Sequence, residues 1–144
     1  MKGKFFLDTN IFVSSFDAHM SGSAPTKAKI SVELIDSTLQ TKQGVVSYQV
    51  VQEFFNVATR RFSVPLTPAE SEQYLASVFR PLLGIHSSAA LYFEALQLSA
   101  KHRLPWYDSL IVAAAIEANC SILYSEDFQD GREFGKLRVV NPFS

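Results

Sequence analysis

Four acidic residues, Asp8, Glu53, Asp108 and Asp127, stand where a carboxylate has to be explained. Asp8 closes the apolar run Phe5-Phe6-Leu7, and Glu126-Asp127 follow Ile122-Leu123-Tyr124-Ser125. An acid directly after a buried strand emerges at the carboxyl edge of the sheet, where the chemistry of open parallel sheets collects. If both strands are central and parallel, Asp8 and Asp127 leave at the same end. Each also has a plain structural explanation: Asp8 as the cap of a helix starting near Ile11, Asp127 as a turn residue.

Asp108 is harder to explain that way. On a helix it shares a face with Ile111, Val112 and Ala115, and the helix is apolar nearly all round, which predicts a buried face. A buried carboxylate costs several kcal/mol unless it is paired, hydrogen-bonded or metal-bound. First-turn placement on the helix dipole returns only about 0.3–1 kcal/mol. Glu53 lies on the shoulder of an apolar arc made by Val50, Val51, Phe54, Phe55, Val57 and Ala58. Gln49, Glu53, Asn56 and Arg60 form a polar ridge along that shoulder, which a solvated helix face explains equally well.

Crowded carboxylates repel, and they stay ionised together at neutral pH only when a divalent cation neutralises them. All-oxygen ligation suits Mg²⁺ or Mn²⁺ rather than zinc. Such an ion activates water and stabilises a leaving oxygen, the chemistry of phosphodiester hydrolysis. His19, His86 and His102 are scattered and offer no zinc spacing, and there is neither a Gly-rich phosphate loop nor a G-x-S-x-G elbow.

The elements that must position these acids alternate between strand and helix. Strands are expected at Lys4 to Leu7, Val45 to Ser47, Leu82 to His86, Ser121 to Tyr124 and Arg138 to Val140. Helices are expected at Ala28 to Leu39, Gln49 to Arg61, Ala89 to Lys101 and Trp106 to Ala118. Thr67-Pro68-Ala69-Glu70 has the form of a capping box with proline in the first helical position, so another helix begins there. Short apolar strands separated by helices imply an α/β domain with a mostly parallel sheet of four or five strands.

At 144 residues, 47% of them hydrophobic, the chain fits one compact domain spanning 1–144 without staples. Ser21-Gly22-Ser23-Ala24-Pro25 reads as a surface loop rather than a linker. Cys120 is the only cysteine, which rules out an intramolecular disulfide and fits a small core residue in a reducing interior. The longest apolar run, Leu110 to Ile116, is far below the roughly 20 residues of a membrane span, and no targeting pattern is evident, so a cytoplasmic location is expected. A formal net charge of −1 argues against a module that holds nucleic acid by general basicity.

Taken together, these stretches resemble the PIN-domain ribonucleases, and in particular the VapC-like toxins of bacterial toxin–antitoxin pairs. The resemblance rests on Phe6-Leu7-Asp8-Thr9-Asn10-Ile11-Phe12-Val13, on Ser47 to Asn56, on Trp106 to Ala115, and on Leu123-Tyr124-Ser125-Glu126-Asp127-Phe128. It implies a three-layer α/β/α fold and a Mg²⁺- or Mn²⁺-dependent endoribonuclease. In that family's terms Asp8, Glu53, Asp108 and Asp127 are the metal-site and catalytic acids, with Asn10 and Ser125 as hydrogen-bonding supports. Glu126 and Asp130 lie in the same acidic turn as Asp127, so the fourth acid has alternatives. The resemblance also implies an RNA substrate, a small antitoxin and a homodimer, for which Phe12, Phe16 and Phe62 are candidate patch residues. Arg60, Arg61, Lys101, Arg103 and Arg132 are candidates for holding RNA phosphates. A haloacid-dehalogenase-like phosphotransfer enzyme is a weaker fit, because it needs a second acid two residues after the first and Asn10 stands there. A PIN-fold scaffold or RNA-binding module without activity is the other alternative.

Overall fold

The structure is a computed structural model that describes residues 4–16 and 25–144. His19 and residues 21–24 of the expected loop lie outside the described residues. Strand β1 (Lys4–Leu7) leads into a short helix α1 (Thr9–Ser14), and α2 (Pro25–Thr41) precedes β2 (Gly44–Ser47). Helix α3 (Tyr48–Ala58) follows directly, then α4 (Pro68–Tyr74), a π-helical turn (Leu75–Phe79), α5 (Arg80–Leu82) and β3 (Leu83–Ile85). Helices α6 (Ala89–His102) and α7 (Trp106–Glu117) precede β4 (Cys120–Tyr124), β5 (Glu133–Phe134) and β6 (Leu137–Val140).

The expected capping box is formed: the Glu70 N–H donates to Thr67 Oγ1 at 3.1 Å, and the Thr67 N–H donates to Glu70 Oε1 at 2.9 Å. Helix α3 ends three residues short of the expected Arg61, because the Arg60 and Arg61 N–H groups both turn back to the Val57 carbonyl.

The strands form one mostly parallel sheet in the order β3-β2-β1-β4-β6-β5, flanked by helices. It has six strands, one more than expected. The addition is β5, two residues long, antiparallel to β6 across a tight turn in which Gly135 has φ of +62°. From β1 the chain builds outward to β2 and β3, then returns to β4 on the other side. The β1–β4 border is therefore the point at which strand order reverses.

Phe6, Leu7, Val46, Leu123 and Val139 are fully buried in the sheet, and helix α7 is buried almost throughout from Ser109 to Ala115. Beside the sheet lies an aromatic cluster in which Phe54 stacks on Tyr74 at 5.0 Å and Phe12 meets Phe79 at 4.8 Å. Phe16 contacts Phe54, Phe62 and Tyr74 in the same cluster.

This overturns the assignment of Phe12, Phe16 and Phe62 to an exposed patch. Phe12 and Phe62 are buried and Phe16 is half-buried, because three chain segments bring their rings together. The large exposed apolar side chains lie elsewhere, among them Tyr92, Phe93, Leu96, Trp106 and Tyr107 on α6 and α7. No helix among the described residues is long and apolar enough to cross a membrane.

Candidate active site

Asp8 ends β1 and caps α1, with its extended backbone (φ −74°, ψ 163°) aiming the carboxylate at the Thr9 N–H, 2.7 Å from Oδ1. Its other oxygen accepts from the Ser125 hydroxyl at 2.7 Å, just past β4. The capping explanation is thus correct as geometry, yet it uses only one of the two carboxylate oxygens. Asp8 is 4% exposed. Burial pushes its pKa up to about 7, against the Ser125 and Thr9 hydrogen bonds and with help from Asp127 and Glu53.

Asp127 reaches the same place from the β4 side. Its N–H donates to Ser125 Oγ at 3.1 Å, and its carboxylate accepts from Asn10 Nδ2 at 3.0 Å. Asn10 in turn donates to Ser125 Oγ at 3.3 Å and accepts from the Glu126 N–H at 3.4 Å. Residues 8–10 and 125–127 therefore form one hydrogen-bonded seam across the sheet's switch point. The neighbouring acids are engaged elsewhere: Glu126 pairs with Lys27 at 2.6 Å, and Asp130 accepts from the Asn141 N–H at 2.8 Å.

Glu53, on α3, is held by two donors. The Thr9 hydroxyl lies 2.7 Å from Oε1 and Gln49 Nε2 lies 3.2 Å from Oε2. Gln49 Nε2 also donates to the Tyr107 carbonyl at 3.2 Å, tying α3 to the first turn of α7. Asp108 stands in that first turn, where the exposed helix N–H groups favour an anion. It is half-buried rather than buried as expected, because the first turn of α7 lies at the surface while the rest of the helix is enclosed. Asp108 makes no hydrogen bond among the described residues, and its pKa is raised by desolvation and by Asp127 and Glu53.

The four sequence-derived acids thus meet at one end of the sheet, with Asp127 and Glu53 close enough to act on both Asp8 and Asp108. Thr9, Asn10, Glu53, Asn56 and Asp127 line an open cleft of about 350 Å³. All-oxygen donors are what Mg²⁺ or Mn²⁺ takes. Among the described residues, however, no three carboxylates already converge tightly enough to hold an ion. Sharing one requires side-chain rotation, for which Asp108 has the least to give up.

Two residues of this network escape a reading by residue type. Thr9, between Asp8 and Asn10, carries no charge to mark it, and Gln49 belongs to a ridge that solvation explains. The only signal was the i, i+4 spacing of Gln49 and Glu53 on one helix face. Of the basic residues, Arg60 donates to Asn56, a lining residue of the cleft, at 3.3 Å. Lys101 lines a different cavity, beside Cys120 at the start of β4 and so at the far end of that strand from Ser125. Arg132 is occupied by the His102 carbonyl at 3.3 Å and by the Phe134 ring at 4.8 Å.

The PIN-domain family model matches residues 5–132, and the chain belongs to the PIN-domain family. Among curated proteins none matches the chain by sequence. Solved structures do match. A toxin–antitoxin complex from Klebsiella pneumoniae is similar with a TM-score of 0.68 at 18% identity, covering 97% of this chain and 98% of that one. VapC20 of Mycobacterium tuberculosis, described as a sarcin–ricin-loop-cleaving toxin, gives 0.65 at 18% identity over 88% and 92%. VapBC2 of Rickettsia felis, solved bound to a promoter DNA fragment, gives 0.61 at 18% identity over 94% and 96%. At these identities the likeness is one of fold.

Proposed function

We propose that residues 1–144 are a single PIN-like domain acting as a divalent-metal-dependent endoribonuclease, the toxin of a toxin–antitoxin pair, in the cytoplasm. The observation that carries this reading is the meeting of Asp8, Glu53, Asp108 and Asp127 at the switch point of a parallel sheet. Four mutually repelling carboxylates are a costly arrangement that a divalent cation relieves. The toxin part of the reading is supported by the fold neighbours, two of them toxin–antitoxin assemblies and one a toxin described as cleaving RNA. A small antitoxin covering the cleft and a two-fold homodimer complete it.

On this reading Asp8 and Asp108 would hold Mg²⁺ or Mn²⁺ directly, while Glu53 and Asp127 would contribute through water or at a second ion. When bound, the ion supplies a nucleophilic water and charge stabilisation at the phosphodiester. Glu53, steadied by Thr9 and Gln49, or Asp127, steadied by Asn10, orients the attacking water. Ser125 fixes the Asp8 carboxylate, and Arg60 stands beside the cleft as a phosphate contact.

The test is cleavage of single-stranded RNA by wild type, Asp8→Asn and Asp108→Asn. Each isosteric change removes a ligand charge without opening a cavity, so each is expected to abolish nearly all activity while the fold survives. The double variant is expected to be no worse, because both dismantle one centre. EDTA stops the wild type, and Mg²⁺ or Mn²⁺ restores it. Cleavage that persists in EDTA and in Asp8→Asn would end this reading.

A further inference from the structure

Beside the carboxylate cluster lies a second, separate cavity of about 220 Å³. Tyr48, His86, Tyr92, Trp106 and Tyr107 contribute to its lining, an unusual concentration of rings for a surface hollow. Trp106 pairs with Tyr92 at 6.1 Å and Tyr48 with His86 at 5.3 Å. Ser47 lines it too, is 3% exposed, and its buried hydroxyl has no hydrogen-bond partner among the described residues. An unpaired buried hydroxyl carries an unrecovered desolvation cost, which a ligand's polar edge would repay.

The cavity and the cluster are built from adjacent residues of the same two helices. On α3, Gln52 lines the cavity and Glu53 the cleft. On α7, Tyr107 lines the cavity and Asp108 belongs to the cluster. Gln49 spans the border, donating to Glu53 on one side and to the Tyr107 carbonyl on the other. A strand whose phosphate lies at the carboxylates therefore has its neighbouring nucleoside at the rim of the aromatic hollow.

We infer that this cavity receives an unpaired nucleobase of the RNA substrate, stacked on its aromatic rings and hydrogen-bonded at its edge by Ser47 and the Gln49 and Gln52 amides. The inference rests on the RNA-cleaving reading of the carboxylates. The size is below the roughly 300–1,000 Å³ of sites for drug-sized ligands and suits one planar ring system. Rings that accept any base face, with a few polar groups at the base edge, are how proteins hold single-stranded RNA. The charge balance points the same way. With a formal net charge of −1 the chain has no general basicity to hold RNA by its phosphates, which leaves a share of the affinity for base contacts.

Trp106 is the only tryptophan, so its fluorescence reports on this cavity. A mixed-sequence single-stranded oligoribonucleotide is titrated in EDTA, where nothing is cleaved, alongside a matching oligomer of abasic ribose phosphates. The expected result is saturable quenching by the first and binding by the second that is at least about fivefold weaker. Tyr92→Ala should weaken the first by about fivefold or more, and Ser47→Ala by about threefold. Quenching that follows this pattern without any cleavage in Mg²⁺ supports the base site while removing the nuclease reading. Normal cleavage with unchanged KM in both variants and no quenching overturns the base site and leaves the nuclease intact. Trp106 emission that shifts with protein concentration and ignores RNA also overturns it, because a second copy of the chain then fills the hollow.

Discussion

The Thr9 hydroxyl donates to Glu53 Oε1 at 2.7 Å, so the residue next to the deepest carboxylate holds the one on the opposite helix. Thr9 also supplies the backbone N–H that caps Asp8. One residue thereby sets the spacing of two acids, from β1 and from α3.

Removing that hydroxyl separates positioning from ligation. Thr9→Val keeps the shape and the backbone N–H but removes one of the two donors that hold Glu53. We expect kcat on RNA to fall about tenfold with KM little changed, and stability to fall by about 0.5–1.5 kcal/mol. Thr9→Ser should recover most of the rate. Equal rates for wild type and Thr9→Val would show that the Thr9 hydroxyl does not position Glu53 for the reaction.

Divalent metal should stabilise the fold, since it offsets the desolvation, and the lesser repulsion from Asp127 and Glu53, that raise the Asp8 and Asp108 pKa values. At about 100 times its Kd the ion contributes ~2.7 kcal/mol, which corresponds to a rise in Tm of about 5–10 °C for a chain of this size. Asp108→Asn should shrink the shift measured by calorimetry. Identical shifts in both proteins would take Asp108 out of the metal centre.

Without metal, stability should depend on pH through Asp8. Its pKa is 3.8 ordinarily and about 7 in the fold, so between those values the native state binds the extra proton. The sign is therefore opposite to that of a salt-bridged acid: Tm falls as pH rises from about 4 to 7, then levels as far as Asp8 is concerned. Asp8→Asn should flatten that slope, and saturating Mg²⁺ should reduce it because the ion competes with the proton. A metal-free Tm that climbs over the same range in wild type but not in Asp8→Asn would refute the burial account.

Pairing of two copies now has a different candidate surface from the phenylalanines first considered. Phe93 and Leu96 lie on one face of α6 and are 68% and 54% exposed. We expect a two-fold dimer by light scattering at tens of micromolar, and a monomer after Phe93→Glu. A wild type that stays monomeric rules out this assembly.

Much of the fold is visible in the chain because its strands are short apolar runs ended by polar residues, and α1 and α4 start at side chains that cap them, Asp8 and Thr67. Strand β5 is not, since Glu133–Phe134 has no apolar run and exists only through pairing with β6. The burial of Phe12, Phe16 and Phe62 is hidden for a related reason: their rings meet Phe54 and Phe79 only after the chain has folded. Asp8 and Asp127 are marked as candidates by the apolar runs before them, whereas the exposure of Asp108 is not visible in the chain. Periodicity describes a helix's faces and says nothing about which turn protrudes.

The seam between residues 8–10 and 125–127 also has a consequence in time. Its hydrogen bonds join groups 115 to 117 positions apart, so residues 8–10 are synthesised more than a hundred residues before the partners that hold them. Until β4 and the turn after it have left the ribosome, Asp8 has no Ser125 beside it and Asp127 does not yet exist. Contacts of such long sequence separation form late, after the chain between them has ordered. A growing chain, tethered within reach of ribosomal and messenger RNA, is thus inert by topology. Whatever cutting ability the protein has arrives only after residues 125–127 have been made and have folded back onto residues 8–10.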